Sequence, residues 1–148
     1  MENQKPVYKK VMIIDDNSTD RYIATRNLQK YLFAEEIVAK ESAKNALQYL
    51  ESLAGTSEQL PQLIFLDIRM PEIDGFGFLE AYEKLPETVK STCLIIMLST
   101  SLNPHDLERA KNCKYVNGFL NKPLDKEKIQ MLISKNLKSY LNSGSIDE

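Results

Sequence analysis

Apolar residues along this chain come in short, unbroken runs separated by stretches with helical spacing. The runs are Val11–Ile14, Glu36–Lys40, Leu63–Leu66, Cys93–Leu98 and Tyr115–Leu120. Most are continuous rather than alternating, which predicts strands buried on both faces. Between them the period lengthens. After the cap-type residues Asn17–Asp20, a helix is predicted with Ala24, Leu28, Tyr31 and Leu32 on one face. A second covers Ser42–Ser52, with Ala43, Ala46, Leu47 and Leu50 inward. A third starts near Gly75 and carries Phe78, Leu79 and Tyr82, with Pro86 just past it. A fourth has Asn103 as cap and Pro104 in its first turn. The last begins near Leu124-Asp125 and carries Ile129, Leu132, Ile133 and Leu137. Leu53–Gln62 and the segment from Pro86 to Thr92 read as loops. Strand and helix therefore alternate five times. The expected fold is α/β, a doubly wound five-stranded parallel sheet with right-handed crossovers.

Composition narrows the setting without naming a function. The 148 residues suit one domain, read as 9–140, with an N-terminal extension at 1–8 and a polar tail at 141–148. A net charge of −2 with both signs interspersed argues against nucleic acid as a partner. No polybasic cluster and no run near the ~20 apolar residues of a membrane span point to a membrane. The N-terminus MENQKPVYKK has no apolar signal core, so a cytoplasmic location is expected. Cys93 and Cys113 have no second Cys or His at ligand spacing and read as reduced, structural thiols.

In an open parallel sheet, function gathers at the carboxyl ends of the strands. Here those ends carry Asp15-Asp16, Asp67, Ser99-Thr100 and, two residues past the last run, Lys122-Pro123. All fall on one edge. Carboxylates so placed repel one another and call for a cation or a raised pKa. Hard oxygen ligands without Cys or His suit Mg²⁺. Lys122 adds a point charge, and Ser99 a hydroxyl donor. Together they suit phosphoryl transfer, in which a carboxylate can be the nucleophile. There is no glycine-rich phosphate loop, so the phosphoryl donor is not expected to be ATP bound by this chain.

These residues resemble the receiver domain of two-component response regulators. The motifs IIDDN, LDIRMPEIDG, IIMLSTS and GFLNKP carry the resemblance, in order and at the expected strand ends, over about residues 9–140. It implies a flavodoxin-like receiver fold and the stand-alone, single-domain type. It implies Asp67 as phosphoacceptor, taking a phosphoryl group from a phosphohistidine on a sensor histidine kinase or a histidine phosphotransfer protein. Asp15 and Asp16 would hold Mg²⁺ with Asp67, and the backbone carbonyl of Arg69 would complete the protein ligands. Lys122 would pair with Asp67 and then with the phosphoryl oxygens. Ser99 matches the switch hydroxyl, Phe119 the aromatic switch position, and Pro123 a proline that often follows a cis peptide.

The implied mechanism is a population shift. Phosphorylation draws Ser99 toward the acceptor, Phe119 turns inward, and an unidentified downstream protein binds the changed surface. The chain would act as a signalling switch rather than an enzyme, as a monomer or weak dimer. Arg69 and Ser101 match positions flanking the attacking water. Gly77 stands where the family usually has a polar residue, and should weaken its helix by up to ~1 kcal/mol relative to Ala.

Periodicity alone makes Phe119 a core residue, His105 a surface residue, Asp74-Gly75 a helix start and Met70-Pro71 loop-shaping. Tyr115 is either a partner contact or a strand-end residue. One alternative function is a phosphorylation-independent protein-interaction module of the same fold. Another, an aspartate-nucleophile phosphatase, would need a second Asp two residues past the nucleophile, where this chain has Arg69.

Overall fold

The computed structural model describes residues 5–100 and 103–135. Five strands form one all-parallel sheet in the order β2-β1-β3-β4-β5. They are β1 (Tyr8–Ile14), β2 (Ala34–Lys40), β3 (Leu63–Asp67), β4 (Leu94–Ser99) and β5 (Gly118–Asn121). Five helices lie between them, α1 (Ser18–Lys30), α2 (Ala43–Ser52), α3 (Gly75–Tyr82), α4 (Glu87–Thr92) and α5 (Pro104–Lys111), and α6 (Lys126–Ser134) follows β5. This is the doubly wound architecture expected from the pattern and the flavodoxin-like fold that the resemblance implies.

The continuous apolar runs are explained by strand geometry. Successive side chains leave opposite faces of a strand, so a run feeds two cores at once. Val11, Ile13, Leu63, Phe65, Leu94, Ile96 and Leu98 pack with Ala24 and Leu28 of α1 and Ile129 and Leu132 of α6. Met12, Ile14, Ile64, Leu66, Ile95 and Met97 pack on the other face with α2, α3, Val89 of α4 and Ala110 of α5.

Several boundaries differ from the sequence reading, each for a tertiary reason. β1 begins at Tyr8, not Val11, because Tyr8 is buried against Phe33 at a ring distance of 5.0 Å and pairs with Ala34. Lys9 and Lys10 had hidden that start by interrupting the apolar run. α1 stops at Lys30. Tyr31 caps it and Leu32 adopts a left-handed backbone (φ 56°), so neither belongs to the helical face. β5 starts at Gly118, because Asn117 binds the neighbouring strand first: its N–H donates to the Ile95 carbonyl and its Oδ1 accepts from the Ile95 N–H. The two expected loops contain a 3₁₀ turn at Ser57–Gln59 and the short helix α4. α4 forms because Val89 is fully buried. Ser101, Leu137 and the tail at 141–148 lie outside the described residues.

Caps fix where the helices start, and hence where the loops at the strand ends go. Asn17, Ser42, Asp74, Asn103 and Asp125 each accept a backbone N–H of the first turn. No helix among the described residues is long and apolar enough to cross a membrane.

Candidate functional site

The carboxyl edge of the sheet holds the chemistry. Asp67 is the last residue of β3 and lies in register with Leu98 of β4. It is 5% exposed. Asp15 and Asp16 follow β1 directly, Asp15 buried and Asp16 exposed. Oxygens of these three carboxylates lie within 4.8 Å of one another, the one such acidic, His or Cys group among the described residues.

Lys122, just past β5, enters this cluster. Its ammonium is 2.7 Å from Asp15 Oδ2 and 3.2 Å from Asp67 Oδ1. It also donates to Asp20 Oδ2 at 2.9 Å. The peptide bond between Lys122 and Pro123 is cis. The backbone supports the arrangement: the Asn17 N–H donates to Asp15 Oδ1 (2.9 Å), and the Arg21 guanidinium donates to the Asp15 carbonyl (2.8 Å).

Carboxylates outnumber cations here, with Asp15, Asp16, Asp20 and Asp67 set against the Lys122 ammonium and the Arg21 guanidinium. Burial first, and repulsion by Asp15 second, push the Asp67 carboxyl up to about 6 against the pull of Lys122. Burial alone would lower the Lys122 pKa. Its hydrogen bonds to Asp15 and Asp20 outweigh that, and the net shift is upward.

Close packing places Asp67. The Gly75 N–H, at the start of α3, donates to the Ile68 carbonyl at 2.8 Å. A Cβ on Gly75 would lie 2.7 Å from the Asp67 carbonyl oxygen and 3.0 Å from Ile68 Cα, so only glycine lets the helix begin this close to the strand. Asp74 caps α3 by accepting the Gly77 N–H (2.8 Å). Gly77 differs from expectation. A Cβ there would meet Ile73 Cγ2 at 2.9 Å, so alanine would crowd the loop as well as raise helix propensity.

Ser99 is buried at the end of β4, beside Asn121 in register, and its carbonyl accepts the Lys122 N–H at 2.7 Å. Phe119 is only 7% exposed and packs in the core with Ala110 and Val116. Expected to turn inward on phosphorylation, it is already inward, because its place in β5 faces the α5 side of the sheet. The Arg69 side chain does not face the carboxylates; its guanidinium pairs with the buried Asp106 of α5. His105 is exposed, and Cys93 is buried, its thiol pushed up to about 12 by burial.

Two acids escaped the sequence reading. The sequence pattern groups Asp20 with the cap residues, yet it sits in the first turn of α1 on the same edge as Asp15. The strand-end argument, extended one turn into the helix, would have found it. Asp106 had no local signal, since its partner is 37 residues away and the pairing exists only once α5 is packed.

Comparison with known proteins gives a consistent picture. The family of response regulator receiver domains matches residues 11–134. The probable methanogenesis regulatory protein FilR2 of Methanothrix harundinacea is 29% identical over 134 residues, covering 88% of this chain and 81% of that protein. A two-component response regulator from Cytophaga hutchinsonii superposes with a TM-score of 0.81 at 26% identity, covering 90% of this chain and 99% of its own. A response regulator receiver protein from Dyadobacter fermentans gives 0.77 at 28% identity, covering 87% and 98%.

Proposed function

The chain belongs to the response regulator receiver domain family, and we propose that it is a phosphoacceptor switch in a two-component phosphorelay, with Asp67 as the residue modified. One observation carries the reading: a nearly buried carboxylate at a central strand end, with Asp15 beside it and the Lys122 ammonium 3.2 Å away.

The donor would be a phosphohistidine on a sensor histidine kinase or a histidine phosphotransfer protein. An Asp67 oxygen forms the new bond to phosphorus, the N–P bond to the imidazole breaks, and the imidazole leaves with a proton. With its carboxyl at about 6, Asp67 is largely ionised at neutral pH and more basic than an ordinary aspartate. Lys122 follows the charge as it moves onto the phosphoryl oxygens. Ser99, one residue beyond Asp67's register partner, is the hydroxyl positioned to meet them.

The donor set fits Mg²⁺. It is all oxygen and carries excess negative charge, and it has no His or Cys to favour a softer ion. Asp15, Asp16, Asp67 and the Arg69 carbonyl would hold it, and it would neutralise charge on the phosphoryl group. The downstream partner is a protein that prefers the phosphorylated surface, and the setting is the cytoplasm.

A phosphorylation-independent interaction module remains the second reading. The observation in its favour is Phe119, whose inward position in the unmodified chain already gives the surface that phosphorylation would be expected to produce. Acetyl phosphate with Mg²⁺, followed by intact-mass measurement, separates the two. One phosphoryl adduct on the wild type and none on Asp67→Asn is expected. No adduct on either protein would leave the second reading standing.

A further inference from the structure

We infer that Asp20 is a positioning residue for Lys122, holding the ammonium when the acceptor carboxylates turn to a divalent cation. This rests on the reading of the site given above and goes beyond it.

An ammonium has three N–H bonds and no acceptor. Lys122 meets three carboxylates, Asp15 at 2.7 Å, Asp20 at 2.9 Å and Asp67 at 3.2 Å. Two of the three, Asp15 and Asp67, belong to the carboxylate group able to hold a metal ion, and Asp20 does not. A dication and an ammonium therefore draw on the same two carboxylates, Asp15 and Asp67. The Lys122 side chain is 10% exposed, so water does little to replace a lost partner. With Asp20 present, the ammonium gives up two carboxylates and keeps a third. Without it, loading the ion would leave a sheltered cation with no anion.

Asp20 is well placed for this. It sits in the first turn of α1, where its own N–H donates to the Asn17 cap at 2.9 Å. Its side chain is therefore presented from a fixed helix start rather than from a loop. Its carboxylate reaches across the sheet edge to a lysine 102 residues further along the chain. Asp20 is also the most solvated of the three partners, so it can accept the displaced charge at little cost in desolvation.

The test is a Mg²⁺ titration of the intact chain, followed by amide NMR shifts at the ends of β1 and β3. Asp20→Asn is compared in two backgrounds, wild type and Lys122→Met. High salt is used because it screens the through-space attraction of a partly exposed charge for the ion. In the wild-type background, Asp20→Asn is expected to weaken Mg²⁺ binding by about fivefold. In the Lys122→Met background, the same substitution is expected to change it by no more than about twofold. A loss that is absent, or as large with Lys122→Met as with Lys122, overturns the proposal and reduces Asp20 to a bystander charge. A wild-type chain that binds no Mg²⁺ overturns the cofactor assignment and this role with it. Should Asp20→Asn disturb the start of α1, Asp20→Ser keeps a first-turn hydroxyl while removing the charge, and the same comparison applies.

Discussion

Lys10 and Lys122 are almost equally sheltered, with side chains 11% and 10% exposed. They stand toward opposite ends of the sheet and meet opposite chemistry. Lys10, in β1, donates to the Tyr49 hydroxyl at 2.8 Å and the Gln59 carbonyl at 2.6 Å. Its one nearby carboxylate, Glu36, is 4.0 Å away and 60% exposed. Neutral oxygens satisfy Lys10 with no excess charge around it, and it ties β1 to α2 and to the turn at Ser57–Gln59. Lys122 is satisfied by carboxylates that outnumber it. A lysine held by neutral acceptors is a clamp. One held in a field of excess negative charge can be redistributed by any change in that charge. Burial alone does not tell the two apart; the partners do.

The largest effect should come from removing the charge at Lys122. Lys122→Met leaves Asp15 and Asp67 buried without their cation, at a cost of about 3 kcal/mol in metal-free protein at pH 8. Mg²⁺ should then stabilise the variant more than it stabilises the wild type, because no ammonium competes for the carboxylates. Urea unfolding midpoints with and without Mg²⁺ measure both. Equal Mg²⁺ shifts in the two proteins would break the contrast with Lys10.

The Asp67 carboxyl supplies the next effect. Its pKa rises from 3.8 to about 6 on folding, so the folded state binds the proton more tightly than the unfolded chain. The associated stability is fully present below about pH 4 and is lost as pH rises through about 6. In chelator the loss amounts to about 2–3 kcal/mol. Asp67→Asn should flatten that decline and be the more stable protein at pH 7. Denaturation series from pH 4 to pH 8 test this, and an unchanged slope in the variant would move the excess charge elsewhere.

The same contrast shows what the sequence made legible. Asp15, Asp16, Asp67, Ser99 and Lys122 were found because a parallel sheet sends every strand end to one edge, and strand ends can be read from apolar runs. Lys10 was invisible as a buried residue. It sits where a charged pair interrupts the run, and its shelter comes from Tyr49 and the turn at Gln59, both distant in sequence. Asp20 was passed over because a capping explanation already sufficed locally. Asp106 and α4 required tertiary packing to exist at all: Asp106 needs Arg69 beside it, and α4 needs the site that buries Val89. Local patterns report the sheet and its edge; they do not report which side chains meet across elements.

Smaller effects sharpen the comparison from the Lys10 side. Lys10→Met removes two hydrogen bonds to neutral oxygens that can partly turn to water. It should cost about 1–2 kcal/mol, with a Mg²⁺ shift equal to that of the wild type. Glu36→Gln is the finest test. At 4.0 Å and largely exposed, Glu36 forms a solvent-screened pair with Lys10, and its neutralisation should change stability by less than about 0.5 kcal/mol. Were Glu36→Gln instead to cost as much as Lys10→Met, Lys10 would depend on a carboxylate after all. The two lysines would then differ only in degree, by the number of anions around each. A negligible effect for Glu36→Gln beside a clear one for Lys10→Met makes the difference one of kind, with neutral acceptors sufficient to hold a lysine that has no charge to exchange.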